Sequence, residues 1–281
     1  MHQIYMQTRV RFQIEQATAP EMQSAYIFNM YRAGSSVTEA VAETLSKFSP
    51  LVPLNITRLL DQIGVEVIDH MDFRRTSVFL SASENPLVQL GEYGGFLHYG
   101  YREVPPAFSE SFQFIGASVI IVRDLRDIGL SQYRAVNKHI TTGSSGKNIK
   151  QMRQDRSDQD LESFLLSPEL LEFLKRISNC YRPMIQKGVK LLKYEDFFEN
   201  GKFNTNDFFT NIAYALADYV PLEGQTNDII ADLDARINNS RSLKDHATSG
   251  KINLYKELDT SVQMEMTAAL ENELKMLGYL D

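Results

Sequence analysis

The sequence predicts an α/β fold with a central parallel sheet. An apolar run at 26–30 is typical of a short strand, and apolar residues at helical spacing follow it over 37–48. The run 117–122 is too continuously apolar for a half-exposed strand and indicates a buried parallel one, again followed by a helical pattern. A third core strand is predicted at 189–193. Strands that alternate with helices form parallel sheets, which sets the expected fold class.

Local signals predict where several helices begin and end. Ser36, with Glu39 three residues later, has the form of a capping box, so the first helix is expected to begin there. Asp127 is expected to cap the next helix, Ser167 followed by a proline to begin another, and Gly278 to end the last. The remaining predicted elements are a strand at 96–101 and helices around 206–218 and 259–277.

Length and composition indicate one globular domain. The chain has 281 residues, of which 43% are hydrophobic, and single hydrophobic cores stop growing at about 250–300 residues. The sequence contains no internal repeat, low-complexity segment or linker rich in Pro, Gly and Ser. We therefore predict a single domain spanning residues 1–281.

The charge and the cysteine content exclude several classes of protein. A net charge of −7 argues against a protein that binds nucleic acid, and the single Cys180 excludes a disulfide framework. No apolar run approaches the ~20 residues of a membrane span, and the N-terminus lacks the pattern of a secretory signal. We expect a cytoplasmic protein without a membrane span. The sequence assigns no oligomeric state.

The segment Tyr31–Ser36 is the first sign of a binding site. A glycine and two hydroxyl residues at a strand-to-helix junction expose backbone N–H groups at the positive end of a helix dipole, where anions bind. Arg32 would add a positive charge suited to phosphate or sulfate oxygens. An ordinary glycine turn with serine caps remains the alternative.

The junction is not the usual loop of nucleoside-triphosphate-binding proteins, because the Lys-[ST] pair of that loop is missing. A second glycine-rich stretch, Gly143–Lys147, has Asn148 in place of the hydroxyl residue and no preceding strand. We assign it to a loop.

A second candidate anion site follows the strand at 117–122. Arg123 is at the end of this strand, and Ser131 lies eight residues later, about a turn into the next helix. The chain can fold back so that both side chains reach one phosphate. Arg126 is either a third cation or, as we expect, a surface ion-pair partner of Asp127.

Together these segments resemble the sulfotransferase family, whose donor is 3′-phosphoadenosine 5′-phosphosulfate (PAPS). In that family a turn of the form [PQ]-[KR]-[SA]-G-[ST]-[ST] binds the 5′-phosphosulfate, and Tyr31–Ser36 matches it except that Tyr31 replaces the usual proline. A second signature, Arg-[DN]-x-[RK]-D with Ser eight residues after the first Arg, binds the 3′-phosphate, and Arg123 and Ser131 match it. Tyr194 begins a Y-E-D motif, and in that family the tyrosine of this motif lies near the adenine.

The resemblance extends from about residue 25 to the C-terminus, where Thr248–Lys256 is similar to the loop that closes over the nucleotide. Residues 50–115 and 138–165, on the acceptor side, match no known pattern. The donor-binding residues that the resemblance implies are Arg32, Ala33, Gly34, Ser35, Ser36, Arg123, Ser131, Tyr194, Ser249 and Lys251.

The resemblance also implies a fold and a reaction. The fold would be a three-layer α/β/α sandwich related to the P-loop NTPases. A sulfuryl group would pass in line, without a metal, from PAPS to a hydroxyl or amine of a small-molecule, glycan or lipid acceptor, with Arg32 stabilising the charge on the leaving group.

The sequence offers three candidates for the residue that takes the acceptor's proton. We expect His98, on the strand at 96–101, to be this catalytic base, although a core histidine bonded to backbone is the alternative. Glu103 and Glu39 are its rivals. Two other functions remain open: a nucleotide or small-molecule kinase, and a non-catalytic module that binds adenosine 3′,5′-bisphosphate.

Overall fold

The computed structural model describes residues 2–5, 11–14, 17–62, 94–104, 116–137, 160–239 and 252–281. The strands in chain order are β1 (His2–Tyr5), β2 (Arg11–Ile14), β3 (Ala25–Asn29), β4 (Val52–Asn55), β5 (Phe96–Tyr101), β6 (Ser118–Val122), β7 (Lys190–Lys193), β8 (Phe198–Glu199) and β9 (Lys202–Phe203).

The helices in chain order are α1 (Ser35–Lys47), α2 (Ile56–Gln62), α3 (Leu125–Asn137), α4 (Leu161–Leu165), α5 (Pro168–Asn179), α6 (Arg182–Gln186), α7 (Thr205–Ala215), α8 (Thr226–Asn239), α9 (Thr260–Ala269) and α10 (Glu271–Met276). Two 3₁₀ helices cover Tyr194–Phe197 and Leu254–Glu257.

Five parallel strands form the central sheet in the order β4-β5-β3-β6-β7, which confirms the predicted α/β class. Every residue of β3 and β6 is buried, as expected for adjacent inner strands covered on both faces. By contrast, β7 is the last strand of this order and is only partly buried, so the prediction of a third core strand is right in position but wrong in burial. Antiparallel pairs β1-β2 and β8-β9 lie outside this sheet.

Helices flank the sheet in two groups. Helix α1 packs on β3, β4 and β5 and contacts α7 and α8, whereas α3 packs with α4 and α5. None of the helices in the described part of the chain is long and apolar enough to cross a membrane.

The chain leaves the two central strands in opposite directions. From β3 it runs through α1 to β4 on one side, and from β6 it runs through α3 to β7 on the other. Parallel α/β sheets bind ligands at such a switch point, outside the carboxyl ends of the strands. The fold therefore places the loop after β3 and the residues after β6 where a ligand is expected.

Two of the predicted helix starts are wrong. Helix α1 begins at Ser35 with Gly34 as its N-cap in a left-handed conformation, and no side chain caps it, so Ser36 and Glu39 do not form a capping box. Helix α3 is capped by Asp124, whose carboxylate accepts from the backbone N–H of Arg126.

The other two predicted helix signals are confirmed. Ser167 caps α5, with Pro168 in its first turn. Gly278 has a φ of 77° and follows α10, and its N–H donates to the carbonyl of Lys275. The sequence did not predict β4 or α8, both of which the structure contains.

Candidate functional site

Three carbonyl groups of the loop between β3 and α1 accept hydrogen bonds from other parts of the protein. The carbonyl of Ala33 accepts from Asn29 Nδ2 at 2.7 Å, and that of Gly34 accepts from Thr38 N at 3.0 Å and Thr38 Oγ1 at 3.2 Å. The carbonyl of Arg32 accepts from Arg123 Nη1 at 2.8 Å. The N–H of Ala33 also donates within the loop, to the carbonyl of Met30 at 3.1 Å. These bonds fix the path of the loop into α1.

In contrast to these carbonyl groups, the N–H groups at the start of α1 are available to a ligand. No described residue accepts a hydrogen bond from the amides or hydroxyls of Ser35 and Ser36, which are half-exposed. They stand at the positive end of a 13-residue helix. The junction therefore has available donors at the place where the sequence predicts an anion to bind.

Two left-handed residues give the loop its shape. Arg32 has a φ of 58° and Gly34 a φ of 78°. A Cβ atom on Gly34 would lie 2.5 Å from Cε2 of Tyr194, so the tyrosine ring packs directly on the glycine. A non-glycine residue in this region is uncommon and often marks a functional site.

Arg32 reaches from the loop towards α3. Its Nε donates to Oε1 of the buried Gln132 at 3.4 Å, and Gln132 directly follows the half-buried Ser131. Burial, together with repulsion from Arg102 and Arg123, lowers the pKa of Arg32 to about 10. The side chain remains protonated at neutral pH, next to two more guanidinium groups.

Arg123 is buried at the carboxyl end of β6 and joins three parts of the site. Besides its bond to the Arg32 carbonyl, its guanidinium lies 5.3 Å from the ring centroid of Tyr194. Carboxylate oxygens of Asp127 and Glu195 lie 3.9 and 4.0 Å from its nitrogens. The structure thus brings Arg32, Arg123 and Tyr194 together, as the sequence predicts.

Arg102, to which the sequence analysis gave no role, is the third cation at this edge. It follows β5 directly, and its Nη1 donates to Oδ1 of Asn29 at 3.2 Å. Burial lowers its pKa, and the hydroxyls of Tyr31 and Tyr181 and the carboxylate of Glu39 oppose that effect. Its position at a strand's carboxyl end was the signal that could have identified it.

His98 lies in the core between aromatic rings. The residue has no exposed surface, its ring stacks on Tyr26 with centroids 4.5 Å apart, and Nδ1 is 3.5 Å from the hydroxyl of Tyr101. Its Nε2 is buried and has no hydrogen-bond partner among the described residues, and burial lowers the pKa of His98 to about 3. This environment is that of a core histidine, as in the alternative, but the ring contacts a tyrosine hydroxyl and not the backbone. The catalytic role of His98 stays a prediction on which the proposal below does not rely.

The two rival carboxylates lie in different surroundings. Glu39 is half-buried and bonded to Asn55 Nδ2 at 3.2 Å, and it pairs with Arg58. Glu103 is buried, with Arg176 Nε 3.9 Å from its Oε1. Burial raises the pKa of both carboxyl groups, against the pull of these arginines.

Arg126 corrects a further expectation. It is buried rather than on the surface, and its partner is Asp124, with nitrogen-to-oxygen distances of 2.7 and 3.0 Å.

The predicted donor-binding residues Ser249 and Lys251 lie outside the described residues. Within the described ranges, no cluster of three or more His, Cys, Asp or Glu could hold a metal ion.

Comparison with known proteins gives matches among solved structures. No protein-family model matches the chain, and no curated protein matches its sequence. A solved structure of retinol dehydratase in complex with androsterone and inactive cofactor PAP matches it at 14% identity with a TM-score of 0.42, covering 90% of this chain and 81% of that one. A structure of retinol dehydratase with retinol and PAP matches at 15% identity with a TM-score of 0.41 and the same coverage.

At these TM-scores the likeness carries no argument. The site itself combines a hydrogen-bonded loop, the half-exposed amides at the start of α1, three guanidinium groups and a tyrosine ring at the switch point of a parallel sheet. Such an arrangement can hold a ligand with more than one anionic group beside an aromatic surface.

Proposed function

We propose that this protein is a sulfotransferase, which moves a sulfuryl group from PAPS to a hydroxyl or amine of an acceptor. The observation that carries the proposal is the convergence of the loop after β3 and the residues after β6, joined by the bond from Arg123 Nη1 to the Arg32 carbonyl. These are the two segments on which the sequence resemblance rests.

The residues present fit a nucleotide that carries phosphate groups at both its 5′ and its 3′ position. The amides of Ser35 and Ser36 form one anion site, and Arg123 marks a second one at the neighbouring strand. Tyr194 closes the space between them by packing on Gly34 while facing the Arg123 guanidinium. Two separate anion sites beside an aromatic ring suit an adenosine that carries both a 5′-phosphosulfate and a 3′-phosphate.

When bound, PAPS would supply the sulfuryl group and a leaving group on whose bridging oxygen negative charge develops. Arg32 is the side chain assigned to that charge, since it is fixed by its left-handed backbone and by Gln132 and stays protonated at neutral pH. Prearranged donors act strongly on developing charge because they need no reorganisation. Arg102 adds positive potential next to Arg32.

The remaining assignments concern binding and orientation. Ser35 and Ser36 would hold the 5′-phosphate through N–H groups and hydroxyls, and Arg123 and Ser131 the 3′-phosphate. Fixing the nucleotide at two points orients the transferred group. We propose a small-molecule, glycan or lipid acceptor. His98, Glu39 and Glu103 remain the residues to test as the base that takes the acceptor's proton.

A thermal-shift experiment tests the proposal. Adenosine 3′,5′-bisphosphate at 100 times its Kd should stabilise the protein by about 2.7 kcal/mol. For a chain of this size that is a rise in Tm of about 5 °C. Matched samples receive adenosine 5′-monophosphate, or ATP with Mg²⁺. Stabilisation by ATP with Mg²⁺, but not by adenosine 3′,5′-bisphosphate, would favour a kinase and would refute the proposal.

Activity decides between an enzyme and a binding module. Incubation with PAPS labelled in its sulfuryl group and a panel of phenols, alcohols, amines and sugars should give a labelled product. Arg32→Ala should form this product about 10²–10³ times more slowly. Binding of the bisphosphate without turnover of PAPS in any mixture would support the non-catalytic module.

A further inference from the structure

The carboxylate of Asp127 accepts hydrogen bonds from the backbone of the C-terminal part of the chain. Asp127 is in the first turn of α3, where the sequence predicted a helix cap. The carboxylate instead accepts from the backbone N–H of Asn253 at 2.6 Å and of Tyr255 at 3.0 Å. Its side chain has no exposed surface. A buried carboxylate that receives two backbone N–H groups holds that backbone firmly, because these bonds are charge-assisted.

The same carboxylate faces the candidate phosphate-binding arginine. Oδ2 of Asp127, which accepts from Asn253, lies 3.9 Å from Nη2 of Arg123. The attraction of Arg123 lowers the pKa of Asp127, against burial, which is the larger effect and raises it. One side chain therefore connects Arg123 with the segment Ile252–Glu257.

A second carboxylate completes the arrangement. Glu195 Oε1 lies 4.0 Å from Nε of Arg123 and accepts from the N–H of Asp124 at 3.0 Å. Its other oxygen accepts from the hydroxyl of Tyr279 at 2.6 Å. Arg123 thus stands between two carboxylates, and residues from the last 30 of the chain hold each of them.

Arg126 reinforces the contact with Ile252–Glu257. Its guanidinium lies 3.8 Å from the ring centroid of Tyr255, and its Nη1 donates to Oγ1 of Thr267 at 3.0 Å. Asp124 holds the guanidinium in place through both carboxylate oxygens. The first turn of α3 therefore contacts the C-terminal region through backbone, ring and hydroxyl at once.

We propose that Asp127 is a positioning residue that couples Arg123 to the segment Ile252–Glu257. The carboxylate fixes the segment and, from the same atom, restricts the guanidinium to the direction in which it can meet an anion. The inference rests on the proposed function in one respect, the identity of that anion as the 3′-phosphate of the donor nucleotide.

Asp127→Asn is the test variant, because it keeps the size of the side chain and removes its charge. The matched control is Asp259→Asn, the same change at an exposed N-cap of the C-terminal region, where asparagine also caps. Native-state hydrogen exchange is measured first, without ligand. The amides of Asn253 and Tyr255 should exchange at least about tenfold faster in Asp127→Asn and at the wild-type rate in the control.

Nucleotide binding and side-chain order separate positioning from simple stabilisation. In Asp127→Asn, the preference for adenosine 3′,5′-bisphosphate over adenosine 5′-monophosphate should fall about tenfold, with the affinity for the monophosphate changed less than about twofold. ¹⁵N relaxation of the Arg123 Nε–H group in the ligand-free protein should show greater motion in the variant.

Each outcome decides. Unchanged amide exchange, or faster exchange with unchanged Arg123 order, would overturn the coupling. If the wild type binds neither nucleotide, the proposed function fails. The exchange and relaxation measurements still decide the role of Asp127 in that case, because neither uses a ligand.

Discussion

Replacing Gly34 by alanine tests how the loop is built. At a φ of 78° an alanine costs about 1 kcal/mol through its left-handed backbone. In addition, its Cβ would lie 2.5 Å from Cε2 and 3.0 Å from Cδ2 of Tyr194. Either the ring or the loop must move. Such overpacking typically costs 1–3 kcal/mol, so the free energy of unfolding should fall by about 2–4 kcal/mol in total.

Gly188→Ala is the matched control for the backbone part of this cost. Gly188 has a φ of 87°, and within the described part of the chain only its own sequence neighbours come within 4 Å of the position of its Cβ. It should therefore lose only the left-handed contribution of about 1 kcal/mol. Equilibrium denaturation of both variants gives the difference, which measures the contact between the loop and Tyr194.

The same variant should affect the ligand. If the loop moves, its amides leave their positions, and if the ring moves, the face beside Arg123 is lost. Calorimetric titration with adenosine 3′,5′-bisphosphate should show an affinity at least about tenfold lower in Gly34→Ala and an unchanged one in Gly188→Ala. Equal stability and equal affinity of the two variants would refute the account of the loop.

Three further predictions concern single side chains. Arg32→Ala should lower kcat about 10²–10³-fold in the labelled-PAPS assay, with a much smaller change in bisphosphate affinity. Arg123→Ala should bring the affinities for adenosine 3′,5′-bisphosphate and 5′-monophosphate close together in competition titrations. It should also weaken both, because Nη1 no longer holds the Arg32 carbonyl. An undiminished preference for the bisphosphate would exclude a 3′-phosphate role. His98 has a folded-state pKa near 3, below its unfolded value of about 6.5, so the unfolded chain binds the extra proton between these values. This histidine should lower the stability by up to about 1.4 kcal/mol for each pH unit as the pH falls from about 6.5 towards 3. Denaturation across this range should show a smaller slope for His98→Phe, and an equal slope would contradict the buried, neutral assignment.

The sequence predicts features that depend on neighbouring residues. The strands β3 and β6 are apolar throughout, and the pattern of Tyr31–Ser36 contains both the glycine and the hydroxyls that the junction needs. The spacing from Arg123 to Ser131 is likewise local. These parts of the site were therefore visible without the structure.

Features that depend on distant contacts were not predictable in the same way. Asp127 accepts from amides more than 120 residues away, so its sequence neighbourhood indicated only an ordinary cap. Arg126 is buried because the ring of Tyr255 covers it.

The N-cap of the first helix was predicted two residues late, at Ser36, because local capping rules favour a hydroxyl. Here a left-handed glycine takes the N-cap position, and the ring of Tyr194 packs against it. That ring comes from the end of β7, so the reason for a glycine at this position is a contact between distant parts of the chain.

The central claim is that two anion sites, one at the loop and one at Arg123, act on one nucleotide. Calorimetric titration of the wild-type protein without metal, using adenosine 3′,5′-bisphosphate and adenosine 5′-monophosphate, tests it most directly. A charge-assisted contact to the 3′-phosphate should make the bisphosphate bind about ten to a hundred times more tightly. Equal affinities, or binding of neither compound, would contradict the account.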